Sequence, residues 1–419
     1  MTWNDFSAAR IAADFRTKVR YQMAHASLHE NLRKLVLTYR AEGFKGVVAR
    51  MRLSNKEENE IECRSLPLVM RSKPILIYAE AVADCNMACT MCGRQFHEIR
   101  PEDEGYMRLD IFRKAAELIR PGTTLSLFGR GETLMHPDYP EMLRIAKEKG
   151  AIVGFNSNGK SLTPQLAEKM VTYGQDSLVI SCSAGRPKTY NRIHYGGDFD
   201  QLIESVRVLQ ETKKRHGKPT PFLAFEFVAM RSNIEELPDL LRVADALDVR
   251  NILVIHVVAH DEKMAREEQL RQPKFEKLTA EIFEASRNLA GELGIELTLP
   301  TSYNPYTKKL AWSAEEVAYW KKVLGDAGEA GPSVCLEAWQ TFYVKFDGKV
   351  MPCVITNRPL GDLNEASAEE IWNGKLYQRY RERMRSRRKP PECQICHLMP
   401  GNTSYNPKLG DPALYAEEL

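Results

Sequence analysis

Long apolar runs are missing from this chain, and so is any strong excess of charge. No stretch approaches the ~20 apolar residues that a membrane-spanning helix needs. The opening MTWNDFSAARIAADFRTKVR also lacks the uninterrupted apolar core of a secretory signal. A net charge of +3 over 419 residues is too small, by itself, to ask for nucleic acid or an anionic membrane as partner. Cysteine is scarce, at 9 residues. These absences point to a cytoplasmic protein with no membrane partner, and they give no reason to expect a nucleic-acid partner. In that compartment thiols stay reduced, and clustered cysteines more often hold metal than form disulfides. What is present is the composition of a globular chain able to bury a core, 43% hydrophobic and 27% charged.

The chain divides by pattern. Residues 1–70 read as a basic, mainly helical extension. Over residues 71–300, strand-like runs (PILIYAEA, TTLSLFG, AIVGFNSNG, DSLVISCS, FLAFEFVAM, NILVIHVVAH) alternate with amphipathic helical ones. Strand followed by helix, six times over, predicts an α/β fold of parallel strands with right-handed crossovers, wound as a partial (β/α)6 barrel. Residues 301–330 read as a connection, 331–400 as a small cysteine-containing module with a hairpin and helices, and 401–419 as an extended tail.

Three of the scarce cysteines, Cys85, Cys89 and Cys92, fall in one loop directly after the first strand, in PILIYAEAVADCNMACTMCG. The C-terminal end of a barrel strand is the active face of such folds. Three thiolates can hold three irons of a 4Fe-4S cluster and leave the fourth open to a cofactor or substrate. The alternative is a zinc loop or three unrelated thiols, although zinc sites usually close with four ligands.

The C-x3-C-x2-C loop after a first strand resembles the radical S-adenosylmethionine (radical SAM) superfamily. That resemblance implies S-adenosylmethionine chelated to the open iron, cleavage to a 5′-deoxyadenosyl radical, and hydrogen abstraction from a substrate. An electron donor such as flavodoxin or ferredoxin is implied as partner. Met91 stands where the family usually has an aromatic residue, and its backbone is implied to meet adenine. In FGRGETLMHPD, Gly131 and Glu132 match the stretch that meets the methionine ammonium, while Arg130 and Thr133 depart from it. Asn158 of FNSNG and Ser181 of VISCSAG are the implied sugar and methionine contacts, and Arg192 of RPKTYNRIHYGGDFD the implied carboxylate contact, the alternative being a solvated helix arginine. Strand alternation adds that Ser181 and Ser183 share one face and that Cys182 takes the other.

On the fifth and sixth strands, Glu226 interrupts an apolar run, and His256 and His260 lie on one face. Burying charge is costly unless it is paired or used, so all three are expected to point into the barrel as catalytic candidates, against a hydrogen-bonded structural role. The C-terminal module spaces Cys335 and Cys353 around an Asp-Gly turn and adds Cys393 and Cys396 in PPECQIC. Four thiolates can saturate a second, auxiliary 4Fe-4S cluster, or close a zinc ribbon. The pattern, including LGDLNEASAEEIWNG, resembles the twitch form of the SPASM domain. A saturated cluster suits electron transfer, which predicts oxidation, and the resemblance to single-auxiliary-cluster enzymes implies a small polar, sugar-like substrate. Sugar epimerisation, peptide maturation and a non-enzymatic iron-sulfur or zinc protein are the alternatives. The basic run YQRYRERMRSRRKPP reads as a solvated helix end or as a phosphate-binding or RNA-binding patch.

Overall fold

The computed structural model of the protein describes residues 54–96, 98–300, 335–385, 389–394 and 396. Most of the N-terminal extension, the 301–330 connection, the 401–419 tail, Arg387 and Arg388 lie outside the described residues.

Strands β1 Leu76–Ala79, β2 Thr124–Ser126, β3 Ile152–Ser157, β4 Ser177–Ser181, β5 Phe222–Ala229, β6 Asn251–His256 and β7 Glu296–Thr298 pair in parallel, each with the next. β8 Thr341–Val344 lies parallel on the free side of β1, followed by antiparallel β9 Lys349–Met351 and β10 Gly361–Asp362. Among the described residues, one ten-stranded sheet therefore runs β10, β9, β8, β1, β2, β3, β4, β5, β6, β7.

The helices are α1 Asn55–Glu62, α2 Leu109–Ala116, α3 Tyr139–Glu148, α4 Pro164–Tyr173, α5 Pro187–Ile193, α6 Phe199–His216, α7 Leu237–Ala246, α8 Glu262–Glu267, α9 Glu276–Leu293, α10 Glu337–Gln340, α11 Ala368–Trp372, α12 Lys375–Arg385 and α13 Pro391–Gln394. Their apolar stripes recur at helical spacing; α2 buries Ile111, Phe112, Ala115 and Ala116, and α3 buries Tyr139, Met142, Leu143 and Ala146. Side-chain alternation then sorts each strand. Ile77, Leu125, Val153, Phe155, Leu178, Ile180, Phe225, Phe227, Ile252 and Val254 join the helix-side core. Leu76, Tyr78, Phe128 and Tyr343 form a separate cluster on the concave face. Cys182 lies in the helix-side core, opposite Ser181, as alternation predicts.

Candidate functional site

β1 delivers the chain to the cysteine loop, and backbone contacts hold that loop from two sides. On one side, Gly131 follows β2 so closely that a Cβ there would sit 2.1 Å from Asp84 O and 2.5 Å from Val82 O. Only glycine permits that approach. The next amide, Glu132 N, donates to Asp84 O at 2.8 Å, and Arg130 N donates to the buried Glu80 Oε1 at 2.9 Å. Gly131 thus seats the second strand's loop directly on the segment leading into Cys85.

The carboxylate of Glu132 is buried and taken up by protein donors. Oε1 accepts from Leu134 N at 2.9 Å and Ser157 Oγ at 2.8 Å, and Oε2 accepts from Asn158 N at 2.7 Å. Burial pushes this carboxyl above its ordinary value while the three donors oppose the shift. It ties the end of β2 to the end of β3. Asn158 then reaches the loop itself, with Nδ2 2.8 Å from Asn86 Oδ1 and 3.8 Å from Cys85 Sγ. Lys160 Nζ bridges Asn86 O and Gly196 O at 3.1 and 2.7 Å.

On the other side stands the end of α5. Ala88 N donates to Tyr195 O at 2.8 Å and Thr90 N to Ile193 O at 2.9 Å. Arg192 is exposed, and its Nη2 donates to Ser232 O at 3.3 Å. His194, two residues on, is buried with Nδ1 3.4 Å from Cys89 Sγ. Burial pushes its pKa down to about 4. Sequence reasoning passed over His194 because nothing local to RPKTYNRIHYGG brings it to a cysteine 105 residues away.

An apolar wall closes one flank. Ile193, Met230, Val257 and Met264 cluster there, with Met91 and Phe96 packed against them. His260 belongs to this region; its ring stacks on Phe96 at 5.4 Å, and its Cε1 would lie 2.9 Å from a Cβ on Gly93. His256 does not. It sits on the helix side of β6 with Ile252 and Val254 and meets Phe283 of α9 at 6.3 Å, so the expectation that His256 points into the barrel is corrected. Burial, reinforced by the Arg271 charge, lowers its pKa to about 3. A neutral imidazole needs no charge partner and packs as an aromatic.

Glu226 does face the lumen. It pairs in register with Ser181, and its Oε2 accepts from Asn156 Nδ2 at 2.9 Å. Burial pushes its pKa up to about 7, against the lowering effect of that hydrogen bond. Tyr78 and Tyr343 lie across the concave face, edge to face at 6.3 Å.

Cys335, Cys353, Cys393 and Cys396 lie within electrostatic reach of one another. Tyr380 Oη lies 3.1 Å from Cys393 Sγ, and the adjacent Glu392 makes a buried two-point ion pair with Arg358, at 2.7 and 3.1 Å. Burial raises Cys335, Cys353 and Cys393, and it raises Cys85 and Cys89 in the first loop, Cys89 to about 12; neighbouring thiol and carboxyl charges add to this. Such mutually repelling thiols ionise together only against a cationic centre. All nine cysteines are free thiols. Among the described residues, no three His, Cys, Asp or Glu side chains converge on a single-ion site. An iron-sulfur cluster, whose irons take one thiolate each at separate corners, does not require such convergence. The donor sets therefore fit two clusters.

Known proteins bear on this arrangement. Residues 81–244 match the radical SAM superfamily model, and residues 335–397 match the SPASM model, an iron-sulfur cluster-binding domain. The chain is 28% identical over 186 residues to the tungsten-containing aldehyde ferredoxin oxidoreductase cofactor-modifying protein of Pyrococcus furiosus, a match covering 42% of this chain and 51%, about half, of that protein. It is 23% identical to the PqqA peptide cyclase of Granulibacter bethesdensis over 74% of this chain and 76% of that one. To the AdoMet-dependent heme synthase of Methanosarcina barkeri it is 24% identical, over 78% of this chain and 90% of that one. Streptococcus suis SuiB, solved with S-adenosylmethionine bound, shares the fold at a TM-score of 0.55 and 15% identity, over 80% of this chain and 77% of that one. With a cysteine loop at the head of a parallel sheet and four further thiols beyond its first strand, both covered by those family models, the chain belongs to the radical SAM superfamily and carries a C-terminal SPASM iron-sulfur domain.

Proposed function

We propose that this enzyme removes hydrogen from an amino-acid residue of a peptide held in the barrel lumen, with Glu226 as the base that takes up a proton from the activated substrate. When bound, the first cluster with S-adenosylmethionine supplies the 5′-deoxyadenosyl radical, and the auxiliary cluster supplies electron exchange. The chain's own residues do the rest. Cys85, Cys89 and Cys92 hold the first cluster; Cys335, Cys353, Cys393 and Cys396 hold the second. The Met91, Phe96 and Val257 wall supplies an apolar surface for the cofactor's adenine, and Asn158 and Ser181 supply polar contacts beside it. Glu132, whose oxygens are engaged by protein donors, acts by positioning Asn158. Burial pushes the Glu226 pKa up to about 7, so it exchanges a proton near neutral pH, which suits a general base.

A single observation carries the peptide assignment: the PqqA peptide cyclase aligns along three quarters of both chains. This replaces the sugar expectation, which the named relatives do not support. The heme synthase match covers more of its own protein and makes a tetrapyrrole side chain the second reading. Incubation of the reconstituted, reduced enzyme with candidate peptides and S-adenosylmethionine tests it. A peptide lighter by two mass units, formed with equimolar 5′-deoxyadenosine, is expected. Reaction with a porphyrin and with no peptide overturns the peptide reading.

A further inference from the structure

We propose that His194 is a positioning residue that donates a hydrogen bond from Nδ1 to the Cys89 thiolate and so raises the reduction potential of the cluster held by Cys85, Cys89 and Cys92. The inference rests on that cluster assignment and adds to it a residue outside the ligand set.

The proton's place on the ring follows from its neighbours. The backbone amide of Ser183 lies 3.1 Å from His194 Nε2. An amide N–H can only donate, so Nε2 is the acceptor, and the single proton of the neutral ring resides on Nδ1. Nδ1 faces Cys89 Sγ at 3.4 Å. The ring cannot readily turn away. It stacks on Tyr190 at 4.5 Å and 26°, and the residue is 1% exposed. The distance is set by backbone on both sides. His194 N donates to Tyr190 O at 2.7 Å, and the two bonds from Ala88 and Thr90 hold the cysteine loop to this same helix end. The segment just after β4 contributes the Ser183 amide. One ring thus connects the end of the fourth strand, the end of α5 and the cluster loop.

The consequence is electrostatic. A cluster that accepts an electron places more negative charge on its sulfurs, so a fixed N–H donor stabilises the reduced form more than the oxidised form. Without it the cluster is harder to reduce.

The test is redox titration of the reconstituted full-length enzyme, followed by electron paramagnetic resonance. The signal that changes when S-adenosylmethionine is added identifies the first cluster, and the auxiliary signal serves as an internal control. His194→Phe keeps a ring against Tyr190 but has no donor. At a fixed potential its first cluster is expected to show a reduced-to-oxidised ratio about tenfold lower than wild type, ~59 mV for one electron, with the auxiliary cluster unmoved. His194→Asn, whose amide nitrogen occupies nearly the place of Nδ1, is expected to recover part of the shift. An unchanged midpoint in a fully loaded His194→Phe overturns the proposal. Should that variant fail to fold or load, the same question is answered by histidine-15N labelling of a chain carrying His260→Ala and His97→Ala, since His260 stacks beside the loop and His97 follows it in sequence. A nitrogen hyperfine coupling on the reduced first cluster is then expected, and its absence overturns the proposal. A wild-type protein with no signal responsive to S-adenosylmethionine would instead refute the cluster assignment on which it rests.

Discussion

Glu226, the proposed base, couples the stability of the fold to pH. Its pKa is raised from 4.5 to about 7 by burial, so the folded chain favours its protonated form. Below pH 4.5 both states are protonated and the folded chain bears no penalty. As pH rises from 4.5 through 7 the folded state loses stability, because the unfolded chain ionises first. Glu226→Gln is therefore expected to match wild type in stability near pH 4 and to exceed it by roughly 1–3 kcal/mol at pH 8, as read from urea denaturation. Substrate turnover should fall ~10²-fold or more, while S-adenosylmethionine is still cleaved to 5′-deoxyadenosine. The wild-type rate is expected to rise with pH through about 7, and the variant's rate to stay flat there. Gly131 acts by what it lacks. Gly131→Ala would drive Cβ into the Val82–Asp84 backbone and is expected to cost about 1–3 kcal/mol, with iron lost first from the Cys85, Cys89 and Cys92 site. Iron analysis against the auxiliary signal distinguishes that loss from general unfolding.

At the scale of elements, the basic run at 377–391 resolves into something other than a uniform charged face. In α12, Tyr377, Tyr380, Arg381 and Met384 are buried. Arg381 is fully enclosed, with Nε donating to Ala338 O at 2.9 Å and Nη1 to Leu68 O at 2.8 Å and Asn373 Oδ1 at 3.0 Å. Its guanidinium lies 4.4 Å from the Trp372 ring and 5.1 Å from that of Tyr377. It joins the segment after α1, the helix α10 and α12. Arg381→Ala is expected to destabilise by about 3 kcal/mol or more, because it leaves buried carbonyls without a donor. Arg381→Lys should recover little, since an ammonium cannot reproduce the planar fork. Denaturant midpoints of the two variants check both statements.

The sheet sets the scale of the whole molecule. β8 pairs with β1 along its full length, Leu76 opposite Thr341 and Ala79 opposite Val344. The auxiliary thiols thus flank a strand that borders the one delivering Cys85. Fully loaded protein is expected to hold about eight irons per chain. A chain ending before Cys335 would expose one edge of β1, and it is expected to yield aggregated or unfolded material rather than an independent barrel holding four irons; size-exclusion chromatography with iron analysis checks this.

Read alone, the sequence determined the strand-helix alternation, the cysteine loop at the head of β1, the second group of thiols, and the opposed faces of Ser181 and Cys182. Each of these is local, following from period-two or period-3.6 apolar patterns and from short cysteine spacings. Tertiary structure decided what depends on distant neighbours. Glu132 became a brace because Ser157 and Asn158 converge on it, and His256 became core because α9 covers its side of β6. His194 met the cluster loop because the end of α5 presents it to Cys89. Periodicity assigns a side chain to a face. The charge it bears there and the partner it meets are set by burial and by contacts far away in sequence, which a local pattern does not encode.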